Sequence, residues 1–589
     1  MKKTQSSNLP NESNQMDIEE SLPQYPNQAS VSFGFVNQFP HQPQMQPSTI
    51  PQVVPQPSPF GQIPPSSSFS NLVTQSIPSQ ISPPPFFPNQ INYPFPNQMP
   101  FDPFIAFGPI QSGPIEELNF HDDQPLPANT PKEKTKAPIF QDIKISLKSA
   151  TSHIKPDQIL EVPNCLEIEA VGDSNNSRSG IDLVAVIDNS GSMIGEKIQL
   201  LKITLEFMVT QLNQNDRVSI VSFSSHASRL CPLTVMDEAG KAKLTEIISR
   251  ITAHGGTNTE HGLNYGLKVL ADRRVTNSIT SVMLMSDGMD NNPQTILQRS
   301  QAALETYSGE IRSSFTIHTF GYGTDHDAVL LSKIAELGSG GFYYVESNDS
   351  IAMAFANCLG ELMSIVADEI QVNLNLEPCN YPVELSKIYS VNGDCNFRVQ
   401  ALISGSKKQS VFMLKYHPTN IDSKTHELIQ PVKASVTYQL MGSSEKKTKE
   451  CFLQVKVVGP EIHEEAQINQ EVMMHFYRSK TAQTLKQASQ LGNNNNFEEA
   501  KNLLLESVNE LKNSIVGGDE VVKMLIQDLE KGIQSLENKQ TWQRGGQAWV
   551  SSNIQGHFEQ RSVSSNVYQN PIQQQVYASS IDFMNLRKG

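Results

Sequence analysis

Short, wholly apolar runs that alternate with helical patterns constrain the centre of this chain most tightly. Leu183-Val184-Ala185-Val186-Ile187 ends at a polar turn, and so does the strand-like stretch Ser281–Met285, while Ser314–Phe320 ends at Gly321-Tyr322-Gly323. A strand without polar alternation is buried on both faces, the situation of a parallel strand covered by helices on either side. The intervening segments have helical periodicity. In Gly195–Leu212, residues Ile198, Leu201, Leu205, Met208, Val209 and Leu212 fall on one face. Further helices are predicted over 238–251, 260–271, 293–307, 327–337 and 350–366, and further strands over 217–223, 230–234 and 341–345. The pattern predicts a central α/β doubly wound, Rossmann-like domain over 181–366.

The rest of the 589 residues leaves room for other domains, at roughly 150 residues each. Over 367–460 the period falls to two: Ile370, Val372, Leu374 and Leu376 alternate, and 411–416, 434–440 and 451–457 are further strands. This predicts an antiparallel β-sandwich-like domain. The strands at 138–180 are expected to join it, with the α/β domain inserted between. Residues 461–540 turn helical, with breaks at Gly492 and Gly517-Gly518, and predict a helical hairpin or three-helix unit. Residues 1–137 hold most of the chain's 37 prolines and have no Lys or Arg between Lys3 and Lys132. Proline removes donors and fixes φ, so this stretch is expected to be disordered and partly polyproline II. Residues 541–589, rich in Gln, Asn and Ser, are expected to be a mostly disordered tail.

A formal net charge of -15 argues against a general nucleic-acid binder or a ligand for anionic membranes. No run of about 18 apolar residues is present to span a bilayer. The six cysteines form no CxxC pair and give no zinc finger or RING. The polar N-terminal residues have no apolar core of a signal peptide, so a cytoplasmic location is expected, with the nucleus as the alternative.

The first apolar run leads into Asp188-Asn189-Ser190-Gly191-Ser192, which places a carboxylate and two hydroxyls on one turn at a carboxyl strand end. Gly255-Gly256-Thr257-Asn258-Thr259 precedes a helix, and Ser286-Asp287-Gly288 ends another apolar strand. Singly, each is an ordinary turn or helix cap. Together, on loops of one sheet, Asp188, Ser190, Ser192, Thr257 and Asp287 offer hard oxygens suited to Mg²⁺, with Mn²⁺ or Ca²⁺ as alternatives. No nucleophile–base pair accompanies them, so a binding role is expected and not an enzymatic one. His254 and His261 flank Thr257 and His318 lies in a strand; all read best as structural histidines.

The Asp-x-Ser-x-Ser turn, the Thr of the Gly-Gly-Thr loop and the Asp of the Ser-Asp-Gly turn resemble the metal-ion-dependent adhesion site of von Willebrand factor A domains. The resemblance covers 181–366. It implies that Ser190, Ser192 and Thr257 ligate a metal directly and that Asp188 and Asp287 do so directly or through water. It also implies that a partner's Asp or Glu completes the shell. With the β-domain and helical hairpin, the chain resembles the Vwaint-type proteins of plants and protists, whose tails look like Gly545–Trp549 and His557–Arg561. Many plant members carry a RING and are ubiquitin ligases; here the Pro/Gln-rich segment stands in its place. The reading is an intracellular adaptor that captures an acidic side chain of a protein partner through a cation. The alternatives are a ubiquitin-ligase pathway component lacking its own RING, and a scaffold acting through its N-terminus. The sequence sets no oligomeric state.

Overall fold

The computed structural model describes residues 120–126, 140–155, 157–172, 178–287, 292–311, 314–324, 326–389, 393–399, 401–563 and 567–588. Its centre is a six-stranded sheet. Across the sheet the strands run Ala227–Val235, Arg217–Phe223, Ile181–Asp188, Ile279–Ser286, Thr316–Tyr322 and Ser339–Val345. All pairings are parallel except that of the edge strand Ala227–Val235. Helices cover both faces, as the double burial of Ile181–Asp188 demands. Leu183, Ala185 and Ile187 pack with Leu201, Leu205 and Phe355 on one side. Val184 and Val186 pack with Leu263, Leu267 and Leu331 on the other.

The chain enters and leaves this domain through a second one. Phe140–Ser149 pairs antiparallel with Leu160–Gly172, which pairs with Lys407–Tyr416. Ile365–Leu376 starts the opposite sheet and pairs with Val432–Leu440. The α/β domain is therefore inserted between strands of an antiparallel β-sandwich-like domain. Helices Gln470–Asn493, Phe497–Lys512 and Glu520–Ser535 pack against it, with Val472, Leu485, Leu504 and Leu525 in the same core.

Two segments depart from the sequence-based expectation. The tail 541–589, expected to be mostly disordered, forms helices Gln547–Glu559 and Pro571–Lys588. Its composition misleads because it buries polar side chains such as Asn553, Asn570 and Gln573, which are hydrogen-bonded, alongside Trp542, Trp549 and Val550. The Gln555 amide accepts from Phe342 N (2.8 Å) and donates to Gly340 O (2.8 Å), which closes one edge of the central sheet. Buried Arg561 pairs with Glu361 at 2.9 Å. Burial opposes the Arg561 charge, but the carboxylates of Glu361 and Glu559 outweigh it and push its pKa up. The second departure lies within 1–137. Most of that stretch is outside the described residues, but 120–126 lie against the opposite edge strand, Ala227–Val235.

Candidate cation site

The strand order places the site. Ile181–Asp188 and Ile279–Ser286 are neighbours, but the chain leaves the first toward Arg217–Phe223 and the second toward Thr316–Tyr322. Their carboxyl ends thus flank the crevice where connections diverge, the usual ligand position in an open α/β sheet. Ile187 pairs with Met285, so Asp188 and Asp287 emerge side by side from the two strands.

Four of the five sequence-derived residues form one hydrogen-bonded chain. Asp188 Oδ1 accepts from Ser190 N at 2.8 Å. The Ser190 and Ser192 hydroxyls lie 2.9 Å apart, and Ser192 Oγ donates to Asp287 Oδ1 at 3.0 Å. Asp188, Ser190 and Asp287 are fully buried. Ser192 is exposed and Thr257 half-buried, so the cluster is open on one side. Ser190 begins a short 3₁₀ turn without using its side chain as the cap, which leaves the hydroxyl to the cluster.

Thr257 arrives by a different route. His254 N donates to Asn189 O at 2.6 Å and Gly191 N to Gly255 O at 2.9 Å, so backbone bonds stitch its loop to the first turn. Among the described residues no hydrogen bond joins its hydroxyl to the other four. Its alternative role as a helix cap is filled by the next residue: Asn258 accepts from His261 N at 3.0 Å and caps Thr259–Asp272. That helix lies close to the sheet because it carries glycines. A Cβ at Gly266 would stand 2.5 Å from Val186 Cγ2.

Two contributors escaped the sequence reading. Ser286 Oγ donates to Asp188 Oδ2 at 2.6 Å. Lys197 Nζ, from the helix after the first turn, donates to Asp287 Oδ2 at 3.0 Å. Only the Ser286-Asp287 adjacency hinted at the first, and nothing local hints at the second. Two of the three histidines are structural: His261 Nδ1 accepts from Ala227 N at 3.1 Å, and His318 Nδ1 from Gly341 N at 3.1 Å, while the His254 residue is exposed. Burial lowers the pKa of His261 and His318.

Burial pushes the Asp188 carboxyl up to about 6, against the bonds from Ser190 and Ser286 that favour its charge; the neighbouring Asp287 adds to the rise. Lys197 pairs with Asp287, but among the described residues no cationic side chain bonds the buried Asp188 carboxyl, and hard oxygen donors surround it. The donor set therefore fits a divalent cation. Among the described residues no group of three or more His, Cys, Asp or Glu is placed to hold a metal, so a cation here relies on hydroxyls as well as carboxylates.

The region that contains this site is similar to known proteins. The family model for the von Willebrand factor type A domain matches residues 182–357. Over 222 residues the chain is 31% identical to the E3 ubiquitin-protein ligase WAV3 of Arabidopsis thaliana, a match covering 37% of this chain and 27% of that one. Over 277 residues it is 26% identical to the probable E3 ubiquitin-protein ligase WAVH2 of the same plant, covering 45% and 36%. The matches thus span only about a third of these relatives' own length. Among solved structures, a von Willebrand factor type A protein from Catenulispora acidiphila is similar, with a TM-score of 0.49 and 17% identity over 67% of this chain and 91% of that one. This chain carries a von Willebrand factor type A domain.

Proposed function

We propose that the chain is a non-enzymatic, intracellular adaptor that binds a protein partner through a cation held by Asp188, Ser190, Ser192, Thr257 and Asp287. The observation that supports this most is the hydrogen-bonded run from Asp188, through the backbone N–H of Ser190 and the Ser190 and Ser192 hydroxyls, to Asp287, open at Ser192. When bound, Mg²⁺ or a similar ion supplies a positive centre that attracts an Asp or Glu carboxylate of the partner. Asp188 and Asp287 provide the anionic anchor from two adjacent strands. Ser190, Ser192 and Thr257 are neutral, which leaves charge on the ion for the incoming carboxylate. Lys197 fixes the orientation of Asp287. Among the described residues no helix is long and apolar enough to cross a membrane.

The test is affinity capture from a native extract in Mg²⁺ or in EDTA. Partners retained equally in both conditions, and equally by the Asp188→Ala chain, would sink the proposal. A second reading is favoured by the names of the plant relatives: a component of a ubiquitin-ligase pathway that lacks a RING of its own, since the cysteines form no CxxC pair. Cation-dependent recovery of a ubiquitin-conjugating enzyme or a RING protein would select it within the first.

A further inference from the structure

The antiparallel edge of the central sheet is occupied by a short acidic peptide from this chain. Gln124 N donates to Leu233 O at 2.9 Å, the single backbone–backbone bond described between the segment and the strand. Side chains make the other contacts. Asp123 Oδ1 accepts from Leu233 N at 3.0 Å, and Gln124 Oε1 from Val235 N at 2.7 Å. Phe120 is buried, with its ring 6.0 Å from that of Tyr265 and the Arg229 guanidinium 4.2 Å above it. Arg229 also pairs with Asp122. Pro125 and Pro127 follow at once and have no N–H to continue a ladder.

We propose that this edge is a linear-peptide site that reads segments of the form Phe-x-Asp-Asp-Gln. Residues 120–124 fill it in cis, and a partner protein presenting the same acidic sequence binds by displacing them. Each position has a reader. Arg229 takes the ring and the first carboxylate, and the otherwise open N–H groups of Leu233 and Val235 take the next two side chains. Specificity thus rests on side chains laid along a sheet edge, in place of the main-chain ladder that strand addition uses. Side chains hold the segment and only one described backbone–backbone bond joins it to the strand, so its removal leaves the ladder of the central sheet intact. The site is also distinct from the cation site. Gln124 O accepts from Arg217, whose side chain pairs with Asp182 at the opposite end of the strand from Asp188.

The experiment uses the full chain and a fluorescent synthetic peptide of residues 116–126, followed by anisotropy. A tethered segment competes at an effective concentration on the order of millimolar. The chain carrying Phe120→Ala and Asp123→Ala is therefore expected to bind the peptide at least about tenfold more tightly than the wild-type chain, equally with and without EDTA. Adding Arg229→Glu to that chain is expected to abolish binding. A peptide carrying Phe120→Ala is expected not to bind any of these proteins, a control that does not depend on a variant's folding. Equal affinity for the wild-type and doubly substituted chains, or binding indifferent to both Arg229→Glu and the altered peptide, would overturn the proposal.

Discussion

Asp188 is where the candidate site and stability meet. Its carboxyl is fully buried and titrates near 6 because burial disfavours the charge. The folded pKa lies above the unfolded value, so the stabilising contribution of the protonated form is complete below about pH 4 and lost as pH rises through 6. At neutral pH without a cation the group costs about 3 kcal/mol at most, the equivalent of a shift of roughly two units. Asp188→Asn is therefore expected to raise the melting temperature in EDTA and to remove any response to Mg²⁺. Calorimetric scans of both proteins at pH 7.5 check this; a large destabilisation in EDTA would contradict it. Ser192→Ala makes the opposite case. The residue is exposed but its hydroxyl donates to buried Asp287, so its removal is expected to cost about 1–3 kcal/mol and to weaken the cation response, read by titrating Mg²⁺ against melting temperature. Polar residues stand out at the ends of apolar strands, which is why Asp188, Ser190, Ser192 and Asp287 were legible in sequence as candidates, whereas Thr257 was legible from a Gly-Gly-Thr loop before a helix. Ser286 and Lys197 were not, because their contacts depend on strand register and on the direction in which a helix leaves its turn.

At the scale of elements, a helix carries the Thr257 loop to the crevice. Gly262 and Gly266 let Thr259–Asp272 approach the sheet, where added Cβ atoms would stand 2.4 Å from Phe223 Cδ1 and 2.5 Å from Val186 Cγ2. Gly266→Ala is expected to overpack this contact by about 1–3 kcal/mol. It should also lower cation affinity, because the displaced helix takes Thr257 with it; urea unfolding and Mg²⁺ titration of the same variant separate the two effects. Apolar periodicity placed these helices and strands within a few residues, since double burial leaves an unmistakable run of hydrophobic residues. The capping of this helix was harder to read. Thr257, Asn258 and Thr259 are all competent caps, and only the fold assigns the role to Asn258.

At the scale of the whole molecule, both edges of the central sheet are covered by polar side chains from distant sequence. Gln555 reads one edge strand, and Asp123 with Gln124 reads the other. Composition alone makes such segments look like solvated tails, and their hydrogen-bond partners lie hundreds of residues away for Gln555 and about a hundred for Asp123. The buried Arg561–Glu361 pair ties the tail to the last helix of the α/β domain, Asn348–Met363. Arg561→Ala leaves Glu361 uncompensated and is expected to cost about 3–5 kcal/mol in urea unfolding, with partial recovery on adding Glu361→Gln. The central claim concerns the oxygen cluster, and one measurement tests it most directly: thermal unfolding of the full chain in EDTA and in millimolar Mg²⁺, Mn²⁺ or Ca²⁺. A cation at about 100 times its Kd stabilises the native state by about 2.7 kcal/mol. The account predicts a rise of several degrees with at least one of these ions and none in the Asp188→Asn chain. A wild-type melting temperature unmoved by all three would contradict it.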